Sequence, residues 1–214
     1  MKKRVLNIVV YLVGINILSL GTVLFTCCKL GASALVTVPQ VINLIFPLSL
    51  GGATTVVFLL FVTIEFFIVR KIKLIILLQF PLSFVFGWLV DFYDITLGMN
   101  QFVPESYLLK AITLILALLC TSIGIFMMLK SDGILIPPDG LVSTIAIKIN
   151  KTFGQVKLYF DISMILTSTL LSIFYLGKII TVGLGTILAI LTIGRMVNFW
   201  SLLWELRVKK NSAC

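Results

Sequence analysis

Three ionisable side chains stand inside long apolar runs: Glu65, Asp161 and Arg195. A fourth, Asp91, lies near the end of another such run. A charge at the centre of a hydrocarbon layer costs roughly 2.5–3.5 kcal/mol on insertion scales, so each needs a partner or a water-lined path. Arginine stays protonated and seeks a carboxylate when buried. The expected contact is therefore an ion pair from Arg195 to Asp161 or Glu65. Such a pair is either a static packing element or part of a path for a charged substrate or a proton. Glu65 also has the option of snorkelling to the interface beside Arg70. Weaker polar signals are Asn16, Gln79 and Asn198, whose amides can bond across helices at about 0.6 kcal/mol each.

The remaining chemistry is sparse. The chain has no His and four Cys. Cys27 and Cys28 are adjacent, Cys120 and Cys214 stand apart, and no C-x-x-C spacing exists, so neither a zinc set nor a redox pair is expected. The apolar run before Cys27 is too long for a lipoprotein signal, and Cys214 lacks the C-a-a-X arrangement. Thr181-Val182-Gly183-Leu184-Gly185-Thr186 contains a G-x-G. It has no third Gly and no β-α context, so it reads as close helix packing or an unwound turn, not a nucleotide loop. No nucleophile has a base beside it, and the expectation is a protein without enzymatic activity or cofactor.

These residues sit in a chain of 214 residues that is 60% hydrophobic and 12% charged. Soluble domains carry about 25% charged residues. The composition excludes a cytosolic enzyme, a disordered tail and a disulfide scaffold. It predicts an all-α, polytopic transmembrane bundle forming a single domain. Spans of about 20 apolar residues are needed to cross a bilayer. Six are read: 5–26, 53–69, 74–92, 108–129, 158–176 and 181–204. Two more apolar stretches are broken, 31–50 by Pro39 and Pro47, and 133–153 by Pro137, Pro138, Lys148 and Lys151.

The net charge of +9 reports topology. Lys2, Lys3 and Arg4; Arg70, Lys71 and Lys73; Lys130, Lys148, Lys151 and Lys157; and Arg207, Lys209 and Lys210 all fall on one side. Lys29, Lys110 and Lys178 fall opposite, with Asp91, Asp94 and Glu105. Both termini are then cytoplasmic, and Glu65, Asp161 and Arg195 lie in the inner half. No basic stripe alternates with stacking aromatics, so nucleic acid is not an expected partner. Phe199, Trp200 and Trp204 read as an interfacial belt.

The two halves resemble each other. Phe86-Gly87-Trp88-Leu89-Val90-Asp91-Phe92-Tyr93 matches Ile193-Gly194-Arg195-Met196-Val197-Asn198-Phe199-Trp200 at an offset of 107 positions, and Lys71-Ile72 matches Lys178-Ile179 at the same offset. Ala34-Leu35-Val36 matches Gly140-Leu141-Val142, and Ser19-Leu20-Gly21 matches Ser122-Ile123-Gly124. Each half reads as span, broken segment, span, span: about 1–106 and about 107–214. Three spans per half predict a 3+3 inverted repeat, a build of secondary transporters whose sites lie at broken helices. The uncharged segment 31–50 is expected to re-enter the bundle. For the second segment, re-entry and a surface helix are equally open. Pro138-Asp139-Gly140 is a helix-start signal in it.

Pro138-Asp139-Gly140-Leu141-Val142, the run from Thr152 to Asp161, Val182 to Thr186 and Ile193-Gly194 together resemble the YczE/YyaS/YitT family of bacterial membrane proteins. Leu30-Gly31-Ala32-Ser33, Gln79, Phe86-Gly87 and Asp91 agree more loosely. The resemblance implies a multi-pass protein of the bacterial cytoplasmic membrane, and it singles out Asp139, Lys157 and Asp161 as motif positions. Arg195 departs from the family pattern. The expected function is a small secondary transporter or exporter of a small solute, working by alternating access. The alternative is a non-transporting assembly or regulatory component of a larger membrane complex. Expected partners are the bilayer, a small solute or proton, and a second copy in a homodimer.

Overall fold

The computed structural model describes residues 2–71, 73–131 and 134–212. Ile72 of the repeat match, Gly133 at the start of the second broken segment, and Cys214 lie outside the described residues. So do the side chains of Lys2, Lys3, Arg4, Lys209 and Lys210.

Among the described residues eight α-helices form: α1 (Lys2–Cys27), α2 (Ala34–Ile45), α3 (Leu50–Val69), α4 (Leu74–Asp91), α5 (Tyr107–Lys130), α6 (Pro137–Lys148), α7 (Phe153–Leu176) and α8 (Leu184–Ser212). All but α2 and α6 are long and apolar enough to cross a membrane. The all-α polytopic bundle is therefore present.

Several boundaries depart from the sequence reading, including α7, which starts five residues early at Phe153, and α8, which runs on to Ser212; three other departures have a plain local reason. Helix α3 starts at Leu50, three residues before the expected span. Ser49 caps it by accepting from Gly52 N at 2.9 Å, and Asp91 accepts from Gly51 N at 2.7 Å. Helix α8 starts at Leu184, after the expected Thr181. Thr181 is held off the helix because its carbonyl accepts from Ala32 N at 2.8 Å, and Gly185 N donates to Leu30 O at 2.7 Å. Helix α4 continues into a π-helical turn, Phe92–Thr96, that no periodicity announces.

Helices α1 and α5 form the most intimate pair. A Cβ on Gly124 would lie 2.7 Å from Leu18 N, and one on Gly21 would lie 2.6 Å from Thr121 Oγ1. Small residues permit this approach, which matters where lipid supplies no hydrophobic drive between helices. Around the pair the contacts obey a rule. Helix α2 packs on α7 as α6 packs on α3; α2 packs on α3 as α6 packs on α7; α1 meets α4 as α5 meets α8. Exchanging the halves leaves these pairings unchanged. One pairing breaks the rule: α3 and α4 pack tightly, whereas α7 and α8 barely touch.

The short helices are deeply inserted. Ala34 to Pro39 of α2 and Pro137 to Val142 of α6 are buried without interruption. A helix lying on a surface would leave one face open. The first turns of α2 and α6 are instead enclosed by other helices.

The α1–α5 contact gives a direct test. Gly21→Leu or Gly124→Leu should lower thermal stability in detergent by about 1–3 kcal/mol or more, since overpacking here meets backbone as well as side chains. Unchanged melting in both variants would show that these helices are not in such close contact.

Candidate functional site

Helix α6 begins Pro137-Pro138-Asp139-Gly140. The prolines preset helical φ at positions whose N–H groups would find no helical acceptor. Asp139 follows in the first turn, where the positive end of the helix dipole favours its charge. Helix α7 begins with a capping box: Thr152 accepts from Gln155 N and Gln155 accepts from Thr152 N. That start places Lys157 and Asp161 one turn apart on a single face.

Lys157 is the centre of the arrangement. Its Nζ lies 3.1 Å from Asp139 Oδ1 and 3.0 Å from Asp161 Oδ1. One ammonium thus ties the start of α6 to α7. The side chain of Asp139 is 8% exposed and that of Asp161 13%. A buried ion pair is a weak source of net stability, but removing one partner is costly. Lys157 Nζ also lies over the Phe160 ring, 5.5 Å from its centroid.

Two residues from the other half complete the cluster. Glu65, four residues before the end of α3, is 4% exposed and accepts from Thr144 Oγ1 of α6 at 2.7 Å. Gln79, in the second turn of α4, is 1% exposed. Both border Gly140. A Cβ there would meet the Gln79 amide nitrogen, and Glu65 Oε2 would be 3.0 Å away. Glu65 Oε2 and Gln79 Oε1 are buried without hydrogen-bond partners. Buried polar atoms of this kind are rare and call for an explanation.

Several sequence expectations need correction. Arg195 does not pair with Asp161 or Glu65. It is exposed on α8 and forms no ion pair among the described residues. Helix α8 packs on α5 and hardly meets α7, so Arg195 is carried away from the cluster. Asp161 takes Lys157 as its cation and Glu65 takes a hydroxyl. Glu65 does not snorkel: it is enclosed between α3, α4 and α6. Nor does Trp200 serve only as an interfacial anchor, since its Nε1 donates to Ser122 Oγ of α5 at 3.2 Å.

The other candidates lie elsewhere. Asp91 is at the far end of α4 from Gln79, about 18 Å along the helix at 1.5 Å per residue. Its carboxylate accepts from Ser49 Oγ at 2.6 Å and caps α3. Asn16 donates to Leu12 O at 3.0 Å and accepts from Tyr93 OH at 3.4 Å. Asn198 is exposed. Sequence reasoning missed Thr144 and Gly140 as members of the cluster, because both meet Glu65 only across the fold. Among the described residues, no group of three His, Cys, Asp or Glu is placed to hold a metal ion.

Six apolar spans around two enclosed short helices define a multi-pass membrane protein. The chain belongs to a family of unknown function, DUF6198, whose model matches residues 5–202. That family's name makes no link to the YczE/YyaS/YitT proteins. No curated protein and no solved structure matches the chain.

Lys157→Met should leave Asp139 and Asp161 buried without their cation and lower stability by roughly 3–5 kcal/mol. The triple variant Asp139→Asn, Lys157→Met, Asp161→Asn should recover most of that loss. Thermal unfolding in detergent reads both. If Lys157→Met melts with the wild type, the ammonium does not hold α6 to α7.

Proposed function

We propose that this protein is a secondary transporter or exporter of a small solute, working by alternating access between two halves inserted in opposite senses. The observation that carries this reading is the exchange of short helices: α2 of the first half packs on α7 of the second, and α6 of the second packs on α3 of the first. Transporters built from inverted repeats place their sites at discontinuous helices on the repeat interface. Here the start of α6 brings Asp139, Glu65, Gln79, Lys157 and Asp161 together from both halves. A fixed cluster of this kind can be exposed to either side by rocking one half against the other.

The same reading places the protein in the bacterial cytoplasmic membrane with both termini inside. Positive-inside charge and the resemblance to the YczE/YyaS/YitT family support that placement. The charged cluster then lies in the inner half. The reading includes no enzymatic step, and a second copy in a homodimer is compatible with it.

The test is charge movement or flux in proteoliposomes, driven by concentration jumps of amino acids, sugars, amines and inorganic ions. Losing one partner of a buried charge pair costs about 2–5 kcal/mol. Asp161→Asn, reconstituted in folded form, should therefore slow transport at least about tenfold. A protein that moves none of these solutes but co-purifies with a defined membrane complex is instead an assembly or regulatory component.

A further inference from the structure

We propose that α4 and α8 are alternate gates. In the structure α4 is seated on α3 and α8 stands off α7; in the opposite state α8 seats on α7 and α4 leaves α3. The inference rests on the transport reading and deepens it by naming the parts that control access to the charged cluster.

Among the helix pairings, the asymmetry falls on the last helix of each half. Helix α4 lies closely on α3 and lightly on α1, whereas α8 lies on α5 and barely meets α7. The short helices pack alike in both halves, α2 on α7 as α6 on α3, and α2 on α3 as α6 on α7. Two halves that agree elsewhere thus display two positions of one element. Bistable packing of this kind is what a switching transition needs.

The seat that α8 does not use is nonetheless built. Ser49-Leu50-Gly51 opens α3, and Thr152-Phe153-Gly154 opens α7 at an offset of 103. The offset becomes 107 by the helix ends, because α7 has 24 residues against 20 in α3, one turn more. In the first half Gly51 and Gly87 meet at the crossing. A Cβ on Gly51 would overlap Gly87 O, and one on Gly87 would overlap Thr55 Oγ1. Asp91 locks the crossing by accepting from Ser49 Oγ at 2.6 Å and from Gly51 N at 2.7 Å. The counterparts of Gly51, Gly87, Thr55 and Asp91 are Gly154, Gly194, Leu158 and Asn198. A Cβ on Gly154 or on Gly194 would meet nothing within 4 Å. Leu158 and Asn198 are exposed. Gly154 N finds no acceptor among the described residues. A glycine inside a helix weakens it relative to alanine, and close helix approach is its return in a membrane. Gly194 has no such return in this state.

The two crossings stand at opposite faces of the membrane. Three spans, α3, α4 and α5, separate the start of α3 from the start of α7. One face is therefore sealed and the other open, as alternating access requires. Gly154 precedes Lys157 by one turn, and Gly154, Lys157, Leu158 and Asp161 share a stripe of α7. A helix seated over Gly154 covers the approach to Lys157. With α8 withdrawn, Lys157 is the most open member of its ion-pair cluster, 25% exposed against 8% for Asp139 and 13% for Asp161.

The full chain, with p-benzoylphenylalanine in place of Leu158, is irradiated in lipid nanodiscs, and the captured peptide is identified by mass spectrometry. Capture of α8 around Gly194 within the same chain reports the seated position. Gly51→Leu unseats α4 and should raise that capture severalfold by shifting the population. Should Gly51→Leu fail to fold, Asn198→Asp serves instead. It offers Gly154 N the carboxylate that Asp91 offers Gly51 N, and capture should rise as well. Adding Gly194→Leu to either should abolish the capture. Gly194→Leu alone should melt like the wild type, since its side chain meets open space in the present state. The proposal is overturned if neither Gly51→Leu nor Asn198→Asp raises capture, if Gly194→Leu leaves it unchanged, or if the captured α8 belongs only to a second copy. Flux separates the two ideas. Capture that follows these variants in a chain that moves no solute leaves the helix exchange standing and removes the carrier reading; transport with capture unmoved does the reverse.

Discussion

A helix of twelve residues reaches about 18 Å at 1.5 Å per residue, against a hydrocarbon layer of about 30 Å. Helices α2 and α6 are both of that length. Their ends carry backbone groups that lipid cannot satisfy, and such ends are tolerated only where protein or water covers them. The fold meets this constraint by wrapping each short helix in spans from both halves. The wrapping explains the unbroken burial of Ala34 to Pro39 and of Pro137 to Val142. It also explains why α8 opens late: Thr181 and Gly185 spend their backbone groups on the segment leading into α2.

Covering α6 sets the electrostatics. Its start is lodged among helix ends that carry Glu65, Gln79, Lys157 and Asp161, so charges distant in sequence are desolvated together. Lys157 resolves most of the conflict by bridging Asp139 and Asp161. A carboxylate oxygen of Glu65 and an amide oxygen of Gln79 stay without hydrogen-bond partners beside it, as do Gln40 Oε1, Thr121 Oγ1 and Thr181 Oγ1 elsewhere in the bundle. In the corresponding region at α2 the residues matching Glu65 and Gln79 are Ser172 and Thr186, whose uncharged hydroxyls donate to Lys178 O and Thr181 O. The two halves therefore share a packing plan and differ in charge.

The same comparison shows how one motif can do two things. Asp91 and Asn198 occupy matching positions in the two halves. Asp91 caps α3 because α4 lies against it at the Gly51–Gly87 crossing, where a Cβ on Gly87 would overlap Thr55 Oγ1. Gly194 meets nothing comparable, α8 stands away from α7, and Asn198 is left exposed. A surface ion pair between Lys130 and Glu205, at 3.7 Å, adds little to holding α8. The contact of Trp200 with Ser122 and the edge contact of Trp204 with Phe126 attach it to α5 instead.

Number, order and approximate limits of the spans were legible in the sequence, because solubility in hydrocarbon is a local property of about twenty residues. The broken segments were legible too, through Pro47 and the Pro137-Pro138 pair, although α2 runs on through Pro39; so was a helix start beside Asp139, with α6 opening at Pro137. Glu65, Asp161 and Gln79 could be singled out by the cost of burying them. Their partners could not. Pairing depends on which face each helix turns to which neighbour, and a span that is apolar all round carries no such instruction. Hence Arg195, the most conspicuous charge in the sequence, lies outside the cluster, while Lys157, which charge patterning places among the cytoplasmic basic residues and only the family resemblance singles out, stands at its centre. Local chemistry determined what must be buried; only the tertiary packing of α6 between the halves decided what it is buried against.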